Sequence, residues 1–102
     1  GGLEVLNCSE AGIRSLSGLS RFTGLKRLKL TDNDIRNLVE LSKLTLLEEL
    51  RLDGNLIVDI VPLTILPSLS LVSLSDNPAL QCHSLVRFSD QVEVLAPEHC
   101  SS

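Results

Sequence analysis

Residues able to do chemistry are few in this chain, and they gather near its end. Cys82-His83 and His99-Cys100 supply two sulfurs and two imidazoles. Such a set could hold zinc, oxidise to a disulfide, or persist as two buried thiols. Zinc is disfavoured, because adjacent Cys-His pairs strain a tetrahedral site and no C-x-x-C spacing occurs. Cys8 falls at a leucine position of the pattern described below and reads as a small apolar core residue. Neither histidine coincides with a column of that pattern, so both read as solvated residues. Asp32/Asp34 and Asp53/Asp59 are paired acids by spacing, but they sit where turns are formed. Asn7-Cys8-Ser9 matches an N-glycosylation acceptor, yet it lies inside an expected strand. The sequence contains no G-x-S-x-G, phosphate-binding glycine loop or H-E-x-x-H. The reading is a non-enzyme with no cofactor and no metal.

The elements that position these residues follow one figure. Leu47–Asn55, LEELRLDGN, recurs 22 residues upstream as Leu25–Asn33, LKRLKLTDN, and 22 residues downstream as Leu69–Asn77, LSLVSLSDN. A degenerate copy, Leu3–Ala11, has Cys8 for the third leucine and Ala11 for the asparagine. The remaining columns are Ile13/Ile35/Ile57/Ala79, Leu16/Leu38/Ile60/Cys82, Leu19/Leu41/Leu63/Leu85 and Phe22/Leu44/Leu66/Phe88. Apolar columns at a fixed period describe a one-sided core built by stacking coils.

Each L-x-L piece alternates inward and outward, so strands of successive units should lie side by side as a parallel sheet. An asparagine at the bend can satisfy backbone groups of its own and the next coil, and Asn33, Asn55 and Asn77 should stack as a ladder. Ala11 cannot join it, so the first coil should be the loosest. Between strands, Ser15–Gly24 and Asn37–Leu46 carry apolar residues every three positions, a spacing that suits 3-10 turns. Pro62 and Pro67 reinforce that choice.

The pattern L-x-x-L-x-L-x-x-N-x-I resembles the leucine-rich repeat family, from about Leu3 to Phe88. Its 22-residue length is similar to the SDS22-like and internalin-like subclass. Ile57-Val58-Asp59-Ile60-Val61-Pro62-Leu63 resembles the internalin sequence I-x-D-I-x-P-L. The second unit lacks that Pro and Asp. The resemblance implies an α/β fold: a right-handed solenoid with a short parallel sheet on the concave face and 3-10 or irregular turns on the convex face. The expected organisation is one domain, residues 1–102, with repeats 3–24, 25–46, 47–68 and 69–90 and a C-terminal cap over 78–102.

Composition fits this scaffold. Apolar residues make up 43% of the chain but aromatics only 2%, and the net charge is −4, which argues against a nucleic-acid platform. No apolar run approaches the ~18–20 residues of a membrane span, and no signal segment is present. Gly1-Gly2 reads as a flexible lead-in or an expression scar. Leu3, Val5, Leu6 and Cys8 then enter the repeat with no cap ahead of them. That leaves an open sheet edge and suggests upstream repeats in a longer array, or pairing with another copy.

At the other end, Leu80, Leu85, Val86 and Phe88 are spaced for a short amphipathic turn or helix over the last coil. Val92–Leu95 reads as one more strand. Cys82 occupies a core column and Cys100 follows Pro97, so a Cys82–Cys100 disulfide is expected to pin the tail, worth about 3 kcal/mol for a loop of this length. The segment is similar to the C-terminal ends of exported bacterial leucine-rich repeat proteins. A disulfide favours an extracellular, cell-surface or periplasmic location, with the cytoplasm as the alternative.

The variable strand positions form the candidate site. Arg27 and Glu49 share a column, as do Lys29 and Arg51, giving a mixed-sign centre flanked by Val5 and Leu71. Arginine is enriched at the energetic centres of interfaces. The expected partner-binding residues are therefore Arg27, Lys29, Glu49, Arg51 and Leu71, facing a protein ligand and neither nucleic acid nor membrane. Cross-strand charge pairs that merely keep the sheet soluble are the competing explanation. Two other functions stay open: an intracellular SDS22-type regulatory scaffold, and a structural piece that self-associates through its N-terminal edge.

Overall fold

An L-x-L triplet is long enough for one pleat of strand, and the chain uses it so in every coil. The computed structural model describes residues 2–100. Gly1 of the expected lead-in, and Ser101 and Ser102 at the end of the expected cap, lie outside the described residues. The strands are β1 (Val5–Asn7), β2 (Arg27–Lys29), β3 (Glu49–Arg51), β4 (Leu71–Ser73) and β5 (Glu93–Leu95). They form one sheet in chain order, every neighbour parallel. Leu6, Leu28, Leu50, Val72 and Val94 lie in register as the middle residues. The first and third residues of each strand point the other way, onto the concave face.

The return path of each coil is a 3-10 turn: Leu19–Arg21, Val39–Lys43, Val61–Leu63, Cys82–Arg87 and Glu98–Cys100. Side chains two residues upstream fix where several of these paths begin. Asn37 Oδ1 accepts the Val39 N–H at 2.9 Å and Asp59 Oδ1 accepts the Val61 N–H at 2.9 Å, while Ser15 Oγ accepts the Ser17 N–H at 3.2 Å. Asp59 is thus a turn former. Between sheet and turns, Leu25, Leu47, Ile35, Ile57, Leu38, Ile60, Leu41 and Leu63 are buried in the stack. Each fully buried aliphatic side chain contributes about 1.5–3 kcal/mol, and it does so only because a coil lies on both sides.

The asparagines complete the frame. Asn55 Nδ2 donates to Leu30 O at 3.0 Å and Leu52 O at 2.9 Å, and its Oδ1 accepts the Ile35 N–H at 3.1 Å. Asn77 repeats this one coil on, with Leu52 O at 3.0 Å, Leu74 O at 3.0 Å and the Ile57 N–H at 3.1 Å. Asn33 serves the first coil, donating to Cys8 O at 3.0 Å and accepting from the N–H groups of Ala11 and Ile13 at 3.0 and 2.9 Å. Ala11 therefore receives an amide from the ladder and returns none. Leu6, Cys8, Ile13 and Leu19 around it are only partly buried.

A second column is invisible in the leucine pattern. Glu10, Asp32, Gly54 and Asp76 recur every 22 residues and all adopt positive φ, at 54°, 59°, 71° and 54°. The chain leaves each of β1 to β4 through a left-handed residue, a conformation that glycine tolerates and aspartate accepts better than most.

Several expected positions are corrected. Ala79 is exposed and Leu80 is buried in its place. Pro78 opens a turn closed by Leu80 N–H to Asn77 O at 3.1 Å, which throws one extra residue outward. In the cap, Val86 is 85% exposed, and the inward position goes to Ser84, whose hydroxyl donates to Gln81 O at 2.6 Å. Phe22 is 38% exposed, since no coil covers it on that side. Cys8 and Cys82 are half-buried, short of the buried columns assigned to them.

β5 also corrects the reading of His99. With Leu71 opposite Glu93, the 22-residue offset carries Asn77 onto His99, so this histidine occupies the asparagine column of the last coil. Its Nε2 lies 3.1 Å from Leu80 O.

Candidate functional site

Two places bring functional side chains together: the concave face of β1–β3, and the junction of the cap with the last coil. On the face, parallel register puts Val5, Arg27, Glu49, Leu71 and Glu93 in one row, and Asn7, Lys29, Arg51, Ser73 and Leu95 in the next. Paired short strands, of which β2, β3 and β4 are held on both sides, fix these side chains at their roots, a preorganised surface that loses little entropy on binding.

Charges on this face are unevenly satisfied. Lys26 Nζ lies 3.8 Å from Glu4 Oε1, and Arg51 Nη2 lies 3.9 Å from Glu49 Oε2, both at solvent-exposed positions. Pairs of this kind contribute 0–1 kcal/mol, roughly. Arg27 and Lys29, both exposed, have no ion-pair partner among the described residues. With Arg51 they border a hollow of about 200 Å³ that Val5, Leu6, Asn7, Leu28 and Glu49 also line. Four of the five expected contact residues, Arg27, Lys29, Glu49 and Arg51, therefore meet at one depression. Leu71 lies one strand beyond it, half-buried in the Glu49 row.

Further along, the face differs from the expected surface. Ser73 is 2% exposed, because its hydroxyl donates to Asp53 Oδ1, which also accepts the Ser75 N–H at 3.1 Å. Asp53 is thereby committed to the scaffold. Glu93 and Leu95 extend both rows across β5. The strand itself was legible in Val92–Leu95, but its register was hidden, since Gln91 and Ala96 stand in leucine columns.

At the cap, Cys82 and Cys100 are joined by a disulfide with a Cα–Cα distance of 5.3 Å. Cys8 is a free thiol. Cys82, His99 and Cys100 offer ligand atoms within 4.8 Å of one another, and His83 is outside that group. The Asn7-Cys8-Ser9 triplet lies at the end of β1, where Asn7 Oδ1 accepts from the Ser9 N–H at 3.1 Å and the Ser9 hydroxyl at 2.8 Å. None of the described helices is long and apolar enough to cross a membrane.

A sheet of parallel triplets, an asparagine ladder and 3-10 returns define the class: the chain belongs to the leucine-rich repeat family. No protein-family model matches it, and no curated sequence does. Among solved structures it is similar to an internalin (inlF) from Listeria monocytogenes, with 30% identity and a TM-score of 0.71 over 72% of this chain. It is also similar to an internalin C2 (inlC2) from the same organism, with 27% identity and a TM-score of 0.78 over 88% of this chain. The chain spans 22% of the first of those structures and 39% of the second.

Proposed function

We propose that this is a non-catalytic protein-interaction module of an exported bacterial protein, holding a protein partner on the concave face. The two structures compared above are Listeria monocytogenes internalins, and the cap disulfide suits an oxidising compartment. The observation that carries the reading is the pair of cations Arg27 and Lys29, without an ion-pair partner among the described residues, beside Arg51 around one hollow of the concave face. A scaffold that needed only solubility would gain more by pairing those charges across the strands. Arg27, Lys29, Glu49, Arg51 and Leu71 are the proposed contact residues.

The test is selection from a displayed library of folded domains, followed by affinity measurement against two variants. Arg27→Glu/Arg51→Glu alters the face, whereas Val61→Ser alters the convex side. Ligands weakened at least ~10-fold by the first and unaffected by the second support the reading, since hot-spot residues cost ~2 kcal/mol or more. Ligands indifferent to the concave variant overturn it.

A further inference from the structure

We infer that the cap holds a redox-gated site for a thiophilic divalent cation such as Zn2+, formed by Cys82, Cys100 and His99 once the disulfide is reduced. The two sulfurs and a ring nitrogen of His99 already lie within 4.8 Å of one another. Tetrahedral zinc needs two thiolates about 3.8 Å apart, as follows from Zn–S bonds of ~2.3 Å. Cysteines whose Cα atoms are 5.3 Å apart reach that separation by side-chain rotation once the S–S bond is gone.

His99 is prepared for this role by its surroundings. It stands in the asparagine column, and the 3-10 turn Glu98–Cys100 presents it beside Cys100. Its Nε2 lies 3.1 Å from Leu80 O, a carbonyl that can only accept, so Nε2 carries the proton and Nδ1 keeps the lone pair. A metal-ligating histidine characteristically donates its other N–H to a carbonyl or carboxylate in this way. The strain that argues against two adjacent Cys-His pairs falls on one pair only, because His83 is outside the cluster. Cys82 and Cys100 are half-buried and His99 is exposed, so an ion can enter and water can take the fourth position.

The ligands stay together without the S–S bond because the backbone holds them. Glu93 N–H donates to Ser70 O at 2.8 Å, Leu74 N–H to Leu95 O at 2.8 Å, and Cys100 N–H to Pro97 O at 2.9 Å. Pro97 is buried. Reduction by a phosphine breaks the S–S bond: phosphorus supplies two electrons and takes the oxygen of water as phosphine oxide, and two protons leave both sulfurs as thiols. Binding of the cation then releases those protons to solvent as the thiolates form. Metal and disulfide are alternative clamps for the same tail.

Co2+ is the probe, titrated anaerobically into phosphine-reduced Cys8→Ser protein, which removes the unrelated thiol. The expected result is one Co2+ per chain with the intense visible absorption of tetrahedral thiolate ligation, displaced by Zn2+ and absent from the oxidised protein. His99→Gln should weaken binding at least ~10-fold, the lower end of what even a supporting group costs, and His83→Gln should leave it unchanged. Amide exchange on the reduced apo protein reports whether β5 still pairs with β4. Absence of thiolate absorption, unchanged affinity in His99→Gln, or loss of β5 protection on reduction would each overturn the site.

Discussion

Removing one asparagine from the ladder should cost different amounts in different coils, and the order follows from which carbonyls are shared. Leu30 O accepts from both Asn33 and Asn55, and Leu52 O accepts from both Asn55 and Asn77. Asn55→Ala therefore leaves each of those carbonyls with another donor and orphans only the Ile35 N–H. One buried orphan costs about 1–3 kcal/mol. Adding two weakened carbonyls at a few tenths to one kcal/mol each brings Asn55→Ala to about 2–5 kcal/mol. Asn77→Ala orphans both the Ile57 N–H and Leu74 O, whose side-chain donor among the described residues is Asn77 alone. Two orphans in a fully buried position cost about 2–6 kcal/mol. Asn33→Ala frees Cys8 O and the N–H groups of Ala11 and Ile13, but these lie in a coil that water reaches. There the replacement partner is solvent and the cost falls to about 1 kcal/mol. The expected order is Asn77 ≥ Asn55 > Asn33. Urea titration followed by circular dichroism measures it, and amide exchange at Ile35 and Ile57 locates the damage. An Asn33→Ala loss equal to that of Asn77→Ala would refute the shared-carbonyl argument.

Gly54→Ala should destabilise the protein by about 2 kcal/mol in the same titration, because φ is +71° and the new Cβ meets the Asp32 carboxylate. In an Asp32→Gly background the clash with the carboxylate should disappear, leaving the conformational part and a close approach to the residue-32 Cα at 3.3 Å. Reduction of Cys82–Cys100 should lower stability by about 3 kcal/mol for its 18-residue separation. Exchange should then quicken around Cys82 and Cys100 while β5, β2 and β3 stay protected, and the unfolded, unreduced protein should show one free thiol, Cys8. Arg27→Glu and Lys29→Glu should each change stability by less than ~0.5 kcal/mol, as exposed residues without partners do. A larger loss by calorimetry would assign them to the scaffold.

Most of the scaffold was legible because stacking demands the same side chain at the same place in every coil. Leu28, Leu50 and Val72 repeat since each is both a filler of its own coil and a wall of the next. The same logic exposed the asparagines, each of which serves two coils at once. What escaped detection lay where the repeat obeys geometry rather than residue type. The column of Glu10, Asp32, Gly54 and Asp76 is defined by positive φ, and four residues of mixed chemistry satisfy it without leaving a motif. β5 kept its register while Gln91 and Ala96 replaced leucines, because an end coil needs to fill only one side.

That relaxation also explains His99. In the interior, the ladder position requires an amide that donates and accepts between neighbouring coils. In the last coil the imidazole makes none of those ladder bonds; its Nε2 lies against Leu80 O instead, and its second nitrogen is left for other use. Ala11 occupies the same column at the first coil and supplies neither group beyond its backbone. The two ends of one column therefore differ in chemistry, and that difference puts an imidazole beside the Cys82–Cys100 disulfide. The concave face was legible for a parallel reason. Its rows could be read directly from the 22-residue offset, so Arg27, Lys29, Glu49 and Arg51 were found together. The hollow between them depends on how the side chains of Val5, Asn7, Arg27, Lys29, Glu49 and Arg51 stand on the concave face, which no spacing encodes.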